Sequence, residues 1–308
     1  MSRANLARLG LLAMIWGSSF LLIKVALGGL SPTQIVLWRL ATGAVVLLAI
    51  VAGRREPLPR DPRLWAHLAV MGVVANIIPF FLFGWAELRI TSGMAGVLNG
   101  TTPLFTLLIA AAAVVDEHLS RQRVGGLVLG FAGVVLVAGP WQADGTNLLS
   151  GQMASLGAAA CYGVGFVYSR RFILNRGFRP LALSACQLSI AALLLGLVAP
   201  VVARQPVALA LPVVASATLL GAAGTGLAYL LAYRLIAEAG PTSASMVTYL
   251  IPVVAVVLGI VVLGEPVGWN LFVGTAVVVA GVSLAEGRLR LGPTVDAPVV
   301  PPQQRTRW

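Results

Sequence analysis

Few groups in this chain are able to do chemistry, and most of them stand inside long apolar runs. Asn76, Asn99, Thr225 and Thr248 offer amides and hydroxyls, Trp16 and Tyr162 offer aromatic faces with a polar edge, and Lys24 and Arg39 offer cations. In an apolar medium each of these must find a partner or water. Amides and hydroxyls orient a small solute by hydrogen bonds, and aromatic rings give it apolar walls. The competing use of the same groups is to tie helices together. The spacings of known catalysts are missing: there is no HExxH, no P-loop and no Ser/His/Asp set at membrane depth. His67 and His118 fall at segment ends, and Cys161 and Cys186 sit in apolar runs without metal spacing or a disulfide framework. Neither cofactor nor metal is expected.

The elements that carry these groups follow from composition. The chain is 58% apolar and 10% charged, against about 25% charge in a typical soluble domain. Ten runs are long enough to cross a bilayer: 8–27, 33–52, 64–87, 91–114, 121–139, 150–170, 180–203, 208–236, 241–263 and 269–287. The first is too long for a signal-peptide core and reads as a retained helix. The expected fold is an all-α polytopic membrane protein with ten transmembrane helices. The net charge of +11 would suggest nucleic acid in a soluble protein. Here the basic residues lie in the gaps between apolar runs and report topology instead. With loops placed alternately on two sides, one side holds seventeen arginines and the other holds Lys24, Arg39, Arg89 and Arg204. Positive loops stay in the cytoplasm, so both termini are expected inside a cell membrane. The Pro-rich tail, residues 289–308, reads as disordered.

The two halves match at an offset of 146 to 149. Trp16 and Gly17 correspond to Tyr162 and Gly163, Pro32 to Pro180, Gly72 to Gly221, Pro103 to Pro252, and Glu117 to Glu265. Loop charges do not follow this alignment; they reverse. An odd number of spans per copy turns the second copy over, so residues 1–142 and 148–288 read as two inverted five-helix repeats, an architecture of secondary transporters. Three polar pairs fall on matched positions: Trp16 with Tyr162, Asn76 with Thr225, and Asn99 with Thr248. Each pair either lines a central cavity or binds helices to one another. Pro79, Pro103 and Pro252 lie within spans, where a proline kinks the helix and frees a carbonyl. Because Pro103 and Pro252 are mates, symmetric kinks are expected, serving either a cavity or packing.

"IWGSSFLLIKVAL", "LWRLATGAVVLLA", "EHLSRQRVGGLVLGFAGVVLV" and "EPVGWNLFVGTAVVVAGVSL" together resemble the EamA-type drug/metabolite transporter superfamily. The resemblance covers residues 8 to 287. It implies a central cavity lined mainly by the first, third, fourth, sixth, eighth and ninth helices, and export or exchange of small metabolites. It also implies a homodimer contact or a scaffold position for the fifth and tenth helices. Their glycines fit small-residue packing.

Charged groups remain. Lys24 lies near the outer end of the first span, Arg39 lies deeper in the second, and Glu87 and Arg89 close the third. They form either a positive mouth for anionic or zwitterionic solutes, with Glu87 neutralising one base, or a set of snorkelling side chains. Glu117 and Glu265 precede the fifth and tenth helices, where a carboxylate suits the helix dipole. No Asp or Glu lies mid-span, which argues against a carboxylate proton relay. A carrier of small solutes such as amino acids, by alternating access, accounts for the matched pairs. An intramembrane enzyme lacks clustered acids, bases or metal ligands, and a non-transporting receptor or scaffold leaves the pairs unexplained. The expected partners are a small solute and membrane lipid, not nucleic acid.

Overall fold

A computed structural model describes residues 2–113, 120–139, 145–173, 177–240, 244–266 and 268–289. Glu117, His118, Arg290 and the tail beyond Leu289 lie outside the described residues. Among the described residues all regular structure is helical. In chain order the helices are α1 (Arg3–Ala26), α2 (Pro32–Gly53), α3 (Pro62–Gly72), α4 (Ile78–Glu87), α5 (Ser92–Asn99), α6 (Thr102–Ala113), α7 (Arg121–Ala138), α8 (Gly145–Phe172), α9 (Pro180–Val202), α10 (Leu211–Gly221), α11 (Ala228–Ala239), α12 (Val247–Leu263) and α13 (Trp269–Ala285).

Local sequence sets the helix starts. Ser2, Ser31, Asp61, Thr91 and Ser120 each accept a backbone N–H as N-cap. Ser31 and Gln34 close a full capping box ahead of Pro32. Among the described residues seven segments are long and apolar enough to cross a membrane, and α12 and α13 are shorter apolar helices. The longest helix, α8, is less apolar and carries Gln152, Ser155 and Tyr162. The protein is therefore a multi-pass membrane protein.

Two segments are interrupted in the same way. A π-helical turn, Val73–Ile77, joins α3 to α4, and another, Ala222–Leu227, joins α10 to α11. A π turn widens the helix and is found often at functional sites. Pro79 follows the first π turn at the start of α4. The other two prolines differ from the expected symmetry. Pro103 stands at the start of α6, after a break at Gly100 and Thr101, whereas Pro252 lies inside α12. The break is satisfied by hydroxyls: Thr101 donates to the Leu98 carbonyl at 2.6 Å and Thr102 to the Asn99 carbonyl at 2.8 Å. Pro252 packs onto this break, since a Cβ at Gly100 would come within 2.9 Å of its Cγ.

Packing places the interrupted segments at the centre. α2 packs on α9, α10 and the second π turn; α9 packs on α3 and the first π turn. α1 packs on α12, and α8 on α6 and α4. The fifth and tenth apolar runs, α7 and α13, pack against each other along buried glycines that include Gly126, Gly133, Gly274 and Gly281.

Candidate functional site

The two π turns each present one buried polar side chain to the bundle. Asn76 is completely buried, and its Oδ1 accepts a hydrogen bond from Gln187 Nε2 of α9 at 2.6 Å. Its Nδ2 has no hydrogen bond of ordinary geometry, and Tyr229 is the hydroxyl that approaches it. Thr225 is 1% exposed; its Oγ1 accepts from Arg39 Nε of α2 at 3.0 Å and donates to the Leu220 carbonyl at 3.3 Å. Numbering relates the two bonds. Asn76 plus 149 is 225, and Arg39 plus 148 is 187. Each half sends a donor from its second apolar run into the π turn of the other half. Gln187 was not among the residues expected from sequence. The Pro32–Pro180 offset was the available signal, because it places position 187 opposite position 39.

Arg39 is buried among the helices. Its guanidinium carbon sits 3.7 Å above the Phe80 ring, Nε holds Thr225, and Tyr162, Tyr229 and Glu87 are within electrostatic reach. A planar cation on an aromatic face and a hydroxyl acceptor replace the headgroup that snorkelling would need. Among the described residues no hydrogen bond joins either Nη group to protein, although Arg39 is buried. A guanidinium with a free fork of donors suits a carboxylate or phosphate better than a point charge does.

Aromatic walls surround this pair. Tyr162 belongs to both of the larger apolar cores and packs on Phe83 at 6.1 Å, which meets Phe20 edge-on at 5.4 Å. Trp16 is half-buried against the main core. The glycines after these two aromatics sit at tight crossings. A Cβ at Gly17 would lie 2.5 Å from Val254 of α12, and one at Gly163 would lie 2.9 Å from the Thr106 nitrogen of α6. Among the described residues no bond draws the pair Asn99 and Thr248 into the cluster. The Asn99 carbonyl serves the α5–α6 break, and the Thr248 hydroxyl donates to the Ser245 carbonyl at 2.7 Å.

The charges at the ends of these helices act differently from expectation. Lys24, in the last turn of α1, donates to the backbone carbonyls of Glu87 and of Ile90, the latter at 2.9 Å. It therefore caps the C-terminal end of α4, where carbonyls lack intrahelical partners. It bonds the main chain of Glu87 and not its carboxylate, which is buried with both oxygens unpartnered. Glu265 does cap a helix N-terminus, but not that of α13. Its carboxylate accepts from Ser92 N at 2.7 Å, Ser92 Oγ at 3.0 Å and Gly93 N at 3.2 Å, at the start of α5 in the other half. Among the described residues no three His, Cys, Asp or Glu side chains group to hold a metal.

Comparison with known proteins bears on this arrangement. The model of the EamA-like transporter family matches twice, over residues 8–139 and 149–286. An uncharacterized transporter of Archaeoglobus fulgidus is 28% identical over 89% of this chain and 95% of its own length. A probable terminal-alkyne amino-acid exporter of Streptantibioticus cattleyicolor is 28% identical over 90% of this chain and 92% of its own. The uncharacterized inner membrane transporter YedA of Escherichia coli is 26% identical over 94% and 93%. A solved crystal structure superposes with a TM-score of 0.64 at 20% identity, covering 92% of this chain and 97% of that one, which is a likeness of fold. These relatives are transporters and not enzymes, and with its family model matched twice along its length this chain belongs to the EamA-like transporter family.

Proposed function

We propose that this protein is a secondary carrier that exports or exchanges small organic solutes across the cell membrane by alternating access. In this reading it has ten spans in two inverted five-helix repeats, residues 1–142 and 148–288, with both termini in the cytoplasm. The observation that carries the reading is the reciprocal pair of bonds, Arg39 to Thr225 and Gln187 to Asn76. Each joins a second-run donor to a π turn in the opposite half, as a two-fold axis in the membrane plane requires. The double match of the family model supports the same division. A π turn holds one backbone bond less firmly than a regular helix and is suited to bending where the two halves rock on one another.

The solute is held between the halves. Arg39 offers its free donors to an anionic group, Tyr162 and Trp16 supply apolar walls, and Asn76 and Thr225 fix the helices that carry the walls. Lys24 works by holding the outer end together, and Asn99, Thr248, Pro79, Pro103 and Pro252 shape the breaks that let α5, α6, α4 and α12 bend. Small amphoteric metabolites such as amino acids fit this set; a relative of 28% identity bears the name of a probable amino-acid exporter. The glycine-lined pair α7 and α13 is the scaffold or homodimer face. The test is a metabolite profile inside and outside cells with and without the protein. Selective loss of carboxylate-bearing solutes from the cells is expected, and Arg39→Gln should strongly reduce it with the protein still in the membrane. An identical profile with and without the protein would sink the reading.

A further inference from the structure

Glu87 is the last residue of α4 and lies against the clip that Lys24 makes on that helix end. Its side chain is fully buried, and neither carboxylate oxygen has a partner. Three charged groups face it. Lys24 of α1 gives its ammonium to the Glu87 and Ile90 carbonyls. Arg39 of α2 holds Thr225 and lies on Phe80. Glu265, between α12 and α13, is engaged by the start of α5 and adds a second negative charge. Arg89, two residues on, is turned away onto the Trp85 ring, 3.5 Å from its centroid. Among the described residues no neighbour gives the Glu87 carboxylate a hydrogen bond. An enclosed carboxylate without hydrogen bonds is among the costliest groups to bury, and ionisable residues in membrane segments mark ion paths.

We propose that Glu87 is the proton site of the carrier: the outer end closes over it only after its carboxylate takes a proton from external water, and the proton leaves when the inner end opens. The proposal rests on the carrier reading. The step is a proton transfer. An O–H bond of hydronium breaks and an O–H bond forms on Glu87; the reverse occurs with cytoplasmic water, and nothing is oxidised or reduced. One proton enters per cycle, the direction that drives export. Lys24 makes the step mechanical. Ionised Glu87 competes with the two carbonyls for the ammonium, frees the end of α4 and opens the outer side. Neutral Glu87 leaves the clip in place. Sequence position argued against a proton relay, because Glu87 ends its helix; its complete burial was not readable there.

The test uses the purified full-length protein in lipid and needs no solute. Infrared spectroscopy should find the carbonyl stretch of a protonated carboxyl at neutral pH in the wild type. It should be absent in Glu87→Gln and retained in Glu265→Gln. No such band in the wild type, or a band that survives in Glu87→Gln, overturns the proposal. A band removed by sodium at fixed pH makes a metal cation the occupant and overturns it too. A second arm reads closure. With Cys161 and Cys186 replaced by Ala, Ala86→Cys should label with a water-soluble thiol reagent several-fold faster as pH rises when Glu87 is present. Glu87→Gln corrects for ionisation of the thiol itself. A labelling ratio of one at every pH overturns the coupling to closure. Both arms are independent of export, so their failure is distinct from failure of the carrier reading.

Discussion

The two π turns are alike in backbone and unlike in chemistry. Each receives a donor from the second run of the other half, yet one bond brings a full positive charge and the other brings none. The Arg39 bond leaves free donors beside Phe80 and Tyr162, while Gln187 leaves one buried amide nitrogen on Asn76. Shared geometry with unshared charge separates two jobs. In the proposed carrier the backbone device is mechanical and needs two copies, while recognition needs one charge and a second would repel it. If so, breaking the charged side should change which solutes are carried. Arg39→Gln keeps a donor near Thr225 and removes the charge. Hydrogen bonds to charged groups contribute about 1.5–3 kcal/mol, so the apparent KM for a carboxylate solute should rise roughly ten- to hundredfold. An uncharged solute should be affected far less. Equal loss for both in an uptake assay would make Arg39 a structural residue.

The next test leaves the clasps and removes a contact that also crosses the halves. Glu265 satisfies three donors at the start of α5. Losing a helix N-cap costs about 0.5–2 kcal/mol. Glu265→Ala should lower the thermal unfolding temperature in detergent, with solute preference unchanged. Glu265→Gln, which keeps one acceptor oxygen, should recover part of the loss. A shift in solute preference would place Glu265 in recognition and blur the division drawn from the clasps. Exchanging the clasps sharpens it: Arg39→Gln combined with Gln187→Arg moves the charge to the first π turn. Some transport should return, with an altered order of preference among solutes. Return of the original order would mean that the position of the charge is irrelevant.

Much of this was readable in the sequence, and the omissions have physical causes. Apolar runs and arginine placement marked the membrane segments, and matched offsets brought Asn76 and Thr225 together as mates. The π turns carry no signal of their own, because they differ from an α turn by one residue of hydrogen-bond register. Gln187 escaped because the offset is 148 across the second and seventh runs but 149 across the third and eighth. Glu265 was assigned the right kind of chemistry and another helix, and Lys24, read as a mouth cation or a snorkelling side chain, bonds the end of α4. Most of their partners are backbone groups, which look alike in any sequence, and for Glu265 Ser92 lies 173 residues away. Burial of Glu87 depends on how other helices pack around the end of α4, which no local pattern encodes.

The smallest effect is also the most discriminating one for the uncharged side. Gln187→Ala removes the donor to Asn76 Oδ1 and leaves the amide with no donor from α9. Interhelical hydrogen bonds in membranes average about 0.6 kcal/mol, so the unfolding temperature should fall only slightly. If the Asn76 bond is mechanical, transport of every solute should slow by a similar factor, through the rate of rocking and not through KM. Asn76→Ala should do the same, and the double variant should be little worse than either alone, because both remove one bond. If instead Asn76 contacts solute directly, Asn76→Ala should change preference where Gln187→Ala does not, and their effects should add. A cysteine at position 76 distinguishes the same cases. Labelling by a water-soluble reagent that excess solute slows would put Asn76 in the cavity wall, and then both π turns, not one, would recognise the solute.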